Sequence, residues 1–293
     1  MSSRPVGSTA ILRRLCPAWC LALSITLAAC SPAPESPAVA PSASAEPSVL
    51  TEAEVVATSP KRGACYRLSM AELLAPTSAE PATPCNRRWT ARTIHVGPLD
   101  GAAAGQLVTA DSDWAESLMA AECPRRLAEY LGGTARQTRL TVFRAVWFTP
   151  TVAETAAGAD WFRCDLVALA RPDRLARLTG SVRGLLADAE RRTPYALCGT
   201  SSPDAPGFER VACAAEHTWR AVGSVDLAAT AYPRPRAARR AAEQRCVEEA
   251  RRLAADALDF TWGFEWPTRA QWTGTATSPG QRYGVCWAPA DGS

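Results

Sequence analysis

Residues 116–131, ESLMAAECPRRLAEYL, and residues 239–258, RRAAEQRCVEEARRLAADAL, each set one cysteine in the middle of a run of helix formers. In the first stretch Leu118, Met119, Cys123, Leu127, Tyr130 and Leu131 recur at helical spacing, which puts Cys123 on the buried stripe. Asp111 or Ser112 suits the cap of that helix. Pro124 has no N–H to give to the preceding turn and predicts a kink or a break. In the second stretch Cys246, Ala250, Leu253 and Leu258 mark one buried stripe of a helix expected over 236–259.

Working outward from these two cysteines, six more stand at matching intervals. Cys65, Cys85, Cys123 and Cys164 are separated by 20, 38 and 41 residues. Cys198, Cys213, Cys246 and Cys286 are separated by 15, 33 and 40. The same rhythm of short, long and slightly longer reads as an internal repeat. Local sequence agrees. Thr and Arg follow the second cysteine of each set at the same offsets, as Thr90 with Arg92 and Thr218 with Arg220. A Val-Gly pair comes next, Val96-Gly97 or Val222-Gly223. The segments VWFTPT (146–151) and FEWPT (264–268) precede the fourth cysteine of each set. The expected domains are therefore 61–170 and 190–290. They are joined by a polar, arginine-rich bridge at 171–189 in which VRGLL suggests a short turn or helix.

Strands are expected at TRLTVFRAVWF (138–148) and WFRCDLVAL (161–169), rich in Thr, Val and aromatics, with weaker strand tendency around 85–97 and 211–223. The fold class is α+β: two similar small disulfide-stapled domains, each a small sheet packed with one main helix. Four cysteines per domain allow three pairings. The expectation pairs first with fourth and second with third, giving Cys65–Cys164, Cys85–Cys123, Cys198–Cys286 and Cys213–Cys246. The first kind would tie the ends of a domain together, worth about 4–5 kcal/mol for a loop of roughly 100 residues. The second kind would pin the helix to the sheet.

The ends of the chain set its context. Lys plus Arg number 32 and Asp plus Glu 29, and the excess sits at Arg4, Arg13 and Arg14. From residue 30 onward the charges balance, so there is no electrostatic case for nucleic acid. After the arginines comes LCPAWCLALSITLAA (15–29), shorter than the roughly 20 apolar residues a spanning helix needs. It ends in Leu27-Ala28-Ala29-Cys30. Residues 1–29 read as a signal peptide and Cys30 as the lipid-bearing first residue of a membrane-anchored chain. Residues 30–60, with interspersed Pro, Ala and Ser, read as an extended tether. Export also favours disulfides over thiolates.

The chain resembles the actinobacterial lipoproteins that carry a septum-formation domain. Gly63-Ala64-Cys65 matches the Gly-x-Cys start, and Cys213-Ala214-Ala215-Glu216-His217-Thr218 matches the Cys-x-x-Pro-His-Thr segment with Glu216 in place of proline. The first repeat has Trp89 where histidine would precede Thr90. The resemblance covers 61–290 and implies an envelope role near the division septum. Both departures argue against catalysis by that segment.

Little else points to chemistry. There is no Gly-x-Ser-x-Gly, no His-Glu-x-x-His and no Gly-rich phosphate loop. The nearest retained cysteines are 15 apart, unlike the close pairs of structural zinc sites. No cofactor or metal is expected. His217 is a candidate contact for a ligand or partner, set against a packing role at a strand edge. Trp262, Trp272 and Trp287 lack counterparts in the first repeat and are candidates for an aromatic binding face. The expected function is non-enzymatic: a membrane-tethered envelope protein that binds or scaffolds a cell-wall or division-protein partner. The alternative is an envelope hydrolase using carboxylates or His217 in an interdomain cleft. A hydrolase predicts a polar cleft with converging ionisable groups.

Overall fold

The first half of the chain forms an antiparallel sheet covered on both faces. A computed structural model describes residues 58–99, 112–227, 231–275 and 277–290. Signal peptide, Cys30, nearly all of the tether and Asp111 lie outside the described residues. β1 (Cys65–Tyr66), α1 (Met70–Leu74), β2 (Ala91–Pro98), α2 (Asp113–Leu131) and α3 (Ala135–Arg139) come first. β3 (Phe143–Phe148), α4 (Val152–Ala156), β4 (Trp161–Arg171) and β5 (Arg174–Leu175) complete this half. The strands pair in the order β1-β2-β4-β3, with β5 folded back on β4.

β4 is central, which explains why WFRCDLVAL shows no alternation. Phe162, Cys164, Leu166 and Ala168 belong to the core that also holds the buried face of α2. Val167 lies in a second cluster with Tyr66, Leu73 and Phe148. α2 starts at Ser112, whose hydroxyl accepts from the Ala115 N–H, and ends at Gly132 in the left-handed region at φ 74°. The kink or break expected at Pro124 is not a break: the helix runs through it. Pro124 is half-buried and lines a cleft, and the helix goes without the backbone bond its N–H would have made.

The second half is again an antiparallel sheet with one long helix. After the short α5 (Ala189–Arg192) come β6 (Leu197–Gly199), β7 (Arg210–Ala212) and β8 (Trp219–Asp226). α6 (Pro235–Arg251), β9 (Gly263–Glu265), α7 (Arg269–Thr273) and β10 (Tyr283–Pro289) follow. The sheet order is β7-β6-β8-β10-β9, all antiparallel. The recurring Pro-Thr pairs have a local purpose. Thr151 and Thr268 cap α4 and α7, each in a capping box with Glu154 or Gln271. Gly223 lies under α6, where an added Cβ would come within 3.0 Å of Glu249 Cγ.

Several expectations are corrected by packing. The second helix ends at Arg251, and Leu253 and Leu258 are exposed. Its buried stripe is Ala238, Ala242, Cys246 and Ala250, small residues that let α6 lie close on the sheet. Good helix formers continue to residue 258, but the chain has to turn back into the sheet at β9. Likewise α3 takes residues 138 and 139 from the expected strand. The bridge 171–189 is no solvated connector. Leu178, Val182, Leu185 and Leu186 are buried, and Leu178 exchanges two backbone hydrogen bonds with Trp89.

All four expected disulfide pairings are overturned. The bonds are Cys65–Cys85, Cys123–Cys164, Cys198–Cys213 and Cys246–Cys286. Strand order gives the reason. β2 lies between β1 and β4, so Cys65 is two strand spacings, about 9–10 Å, from β4. A disulfide needs Cα atoms within about 7 Å. β8 separates β6 from β10 in the same way. The helical cysteines instead meet the central strands they cross, with Cα separations of 5.2 and 5.0 Å.

One buried core crosses the boundary between the halves. Leu197, Val285 and Trp287 join the cluster formed by α2 and the first sheet. On β10, Cys286 points instead into the cluster with α6. The second sheet is thus covered by its own helix on one face and by the first half on the other. Among the described residues, no helix is long and apolar enough to cross a membrane.

β4 also carries a buried ion pair on its α1 side. Arg163 Nε lies 3.3 Å from Asp165 Oδ2, and the Thr93 hydroxyl donates to Asp165 Oδ1 at 2.8 Å. Burial pushes the Asp165 carboxyl above its ordinary value, with Arg163 and the Thr93 bond opposing. The native chain therefore keeps this proton to higher pH than the unfolded chain. Its contribution is complete below the ordinary carboxyl value of about 4 and is lost as pH rises through the folded value. The stability of the protein relative to Asp165→Asn is expected to fall as pH rises above about 4. Urea unfolding across a pH series measures it, and a parent that gains stability relative to Asp165→Asn as pH rises would contradict the assignment.

Candidate functional site

β3 and the residues just before it are stitched to the second half by backbone hydrogen bonds. The Val142 N–H donates to Tyr195 O at 2.9 Å, and the Trp147 N–H donates to Thr277 O at 3.0 Å. Beside β3 lies a cleft of about 1480 Å³. One wall is α2 and β3, with Pro124, Leu127, Phe143 and Arg144. The other is β9, α7 and the segment 278–283 that enters β10. The volume exceeds the range of about 300–1,000 Å³ usual for small-molecule pockets.

A preorganised polar network holds the far wall. Arg210 Nε donates to both oxygens of Glu265, at 2.9 and 3.0 Å, and its Nη1 donates to Gln281 Oε1 at 3.3 Å. The Trp287 indole N–H reaches Glu265 Oε2 from behind at 3.2 Å. Gln281 Nε2 donates to Tyr283 O at 2.8 Å. Each group is thereby fixed by the others, and Glu265 is already engaged by two donors.

The opposite wall carries a different kind of charge. Arg144 Nη1 donates to the carbonyl oxygens of Thr141 and Phe143, both at 2.7 Å. Among the described residues it forms no ion pair. Burial holds its guanidinium below the ordinary value, with Tyr283 and Glu265 opposing and Arg210 adding to the depression. An arginine stays cationic through such a shift. Arg269 and Arg282 also line the cleft without an ion pair among the described residues. They stack over Tyr232 and Trp272, at 4.8 and 4.1 Å from the ring centroids. Arg139 and Arg171 are paired with Asp226 and Glu209.

None of the four sequence candidates lines this cleft. His217 is half-buried, and its Nδ1 donates to Ala215 O at 2.8 Å, the packing role weighed for it. Cys198, Cys213 and His217 offer ligand atoms within 4.8 Å of one another. The two sulfurs are joined as a disulfide, so they present no thiolate to a metal. Trp272 and Trp287 are 6% and 0% exposed, so an exposed aromatic face built on them is ruled out. Trp287 packs edge-on against Phe208, and Trp272 against Tyr232. Trp262 is half-buried under the Arg239 guanidinium.

The model of the septum-formation family matches residues 62–286, which takes in both sheets and the cleft between them. The chain belongs to the septum-formation family. No curated protein and no solved structure matches it. Within this septum-formation domain, the residues that sequence reasoning missed are Arg144, Arg210, Glu265 and Gln281. Arg144 left a trace: a charge at the second position of the otherwise apolar strand FRAVWF. The other three, Glu265 between Phe264 and Trp266 among them, become a site only when the two sheets meet.

Proposed function

We propose that this septum-formation protein is a lipid-anchored, non-enzymatic component of the cell envelope that binds or scaffolds a partner at the division septum. Its halves are read as two copies of one unit, joined through a shared core, with the binding site at their cleft. Cys30 supplies the anchor and residues 31–60 the tether. The observation that carries the reading is the cleft's charge. Its cations outnumber its carboxylates, and Glu265 is held by Arg210 and Trp287.

The envelope-hydrolase reading has Glu265 in its favour as a carboxylate in the cleft. Glycoside hydrolysis commonly uses two carboxyl groups flanking the scissile bond. The other carboxylates of the lining, Asp204 and Glu209, pair with Arg239 and Arg171. Crosslinking of the lipidated protein in its own cells tests the binding reading. Division or wall-synthesis proteins are expected in the crosslinked set beyond those captured by an unrelated lipoprotein with the same anchor and tether. Identical sets would overturn it. Release of sugar or peptide from isolated wall material, abolished by Glu265→Gln, would replace it with the hydrolase.

A further inference from the structure

We infer that the cleft between the halves is a binding site for an extended acidic peptide of a partner protein, in which carboxylates alternate with apolar side chains. The inference rests on the proposed binding function and names its partner class.

Three observations converge on this chemistry. The first is unspent positive charge. Arg144 at the β3 wall and Arg269 and Arg282 at the opposite wall line the cleft with no carboxylate partner among the described residues. Arg144 spends Nη1 on two carbonyl oxygens, which fixes the plane of its guanidinium while Nε and Nη2 make no hydrogen bond among the described residues. A planar fork held this way suits a carboxylate, and charge-assisted bonds of that kind are the strong ones. Arg269 and Arg282 are likewise oriented by the rings beneath them.

The second observation is the apolar lining. Pro124, Leu169, Phe208 and Trp266 belong to the walls and are only half-buried. A hydrophilic phosphodiester or uronate polymer would cover those surfaces without burying apolar groups of its own. A peptide with Leu or Phe between its acids would bury them, gaining about 25 cal/mol per Å² removed from water. The third is size. A cleft of about 1480 Å³ is too large for one metabolite but has room for several residues of an extended chain. Recognition of acidic motifs by arginine clusters is a known mode of peptide binding.

The test uses the full-length protein in detergent and four synthetic probes, followed by fluorescence anisotropy or competition against it. The first probe is a nonapeptide alternating Glu with Leu and Phe. The second carries Gln for every Glu, the third is poly-glutamate, and the fourth is poly(glycerol phosphate). The Glu/Leu/Phe peptide is expected to bind, to weaken as salt is raised, and to bind at least tenfold more tightly than the other three. Arg144→Met is expected to weaken it about 10- to 100-fold. Arg269→Gln and Arg282→Gln, at exposed positions that leave the core intact, are each expected to weaken it about 2- to 5-fold.

Retained affinity in all three variants would overturn the proposal, even if Arg144→Met alone were misfolded. So would tighter binding of poly(glycerol phosphate), which would make the cleft a polymer site. Failure of every probe to bind would also overturn it. Septal partners still captured in cells by the Arg144 and Arg282 variants would leave the scaffold reading standing and remove the cleft from it.

Discussion

Asp165→Ala is expected to lower the unfolding free energy by about 3–5 kcal/mol, among the largest effects of a single substitution in this protein. Asp165 is fully buried and Arg163 is 3% exposed. The Arg163 guanidinium lies over the rings of Tyr66 and Phe148, at 4.2 and 4.8 Å from their centroids. Removing the carboxylate leaves that cation out of water with aromatic faces as its main company. It also leaves the Thr93 hydroxyl without its acceptor. The cost comes from the partner left behind more than from the attraction lost. Arg163→Met combined with Asp165→Leu is therefore expected to recover most of the loss, since an apolar pair of similar volume needs no desolvation. Urea unfolding of the three proteins measures this. A single variant within about 1 kcal/mol of the parent would show that water or rearrangement solvates Arg163.

Loss of the Cys123–Cys164 bond is expected to cost about 4 kcal/mol, and loss of Cys198–Cys213 about 3 kcal/mol, on the chain-entropy estimate for loops of 41 and 15 residues. Cys246–Cys286 closes 40 residues and belongs with the first. These helix-to-strand bonds fasten α2 and α6 across the central strands β4 and β10. The paired Ala variants, Cys123→Ala with Cys164→Ala and Cys198→Ala with Cys213→Ala, read the difference by denaturant midpoint. Peptide mapping without reduction checks the connectivity itself. A peptide joining Cys65 to Cys164 would contradict the sheet order, because β2 would have to leave its place between them.

Much of the local architecture was legible. Ser112, one of the two cap candidates for α2, and the placement of Cys123 and Cys246 on buried stripes depend on residues three or four apart. Such interactions are set within a turn or two of backbone, so periodicity and caps reveal them. The limit appears within the same elements. Leu253 and Leu258 continue a favourable pattern, yet the chain has to leave the helix to reach β9, and tertiary geometry overrides propensity there.

The candidate site was hardly legible. Trp272 and Trp287 are prominent in the sequence because they are large and lack counterparts, but their size is used to fill the core. The residues that face the cleft are arginines and a glutamate from segments as distant as Arg144 and Arg282. Arginine is common in this chain, and composition does not distinguish one that is paired from one that is not.

By itself the sequence determined the matching rhythm of two sets of four cysteines, the α+β class and the two main helices, because each depends on spacing along the chain. Only the tertiary structure decided which cysteines bond, where β2 and β8 stand between the expected partners, how one core joins the two halves, and that Arg144 faces Arg210 and Glu265 across a cleft. Those outcomes depend on strand order and on which faces of two sheets meet. They are distances through space between residues far apart in the chain, and no local pattern encodes them.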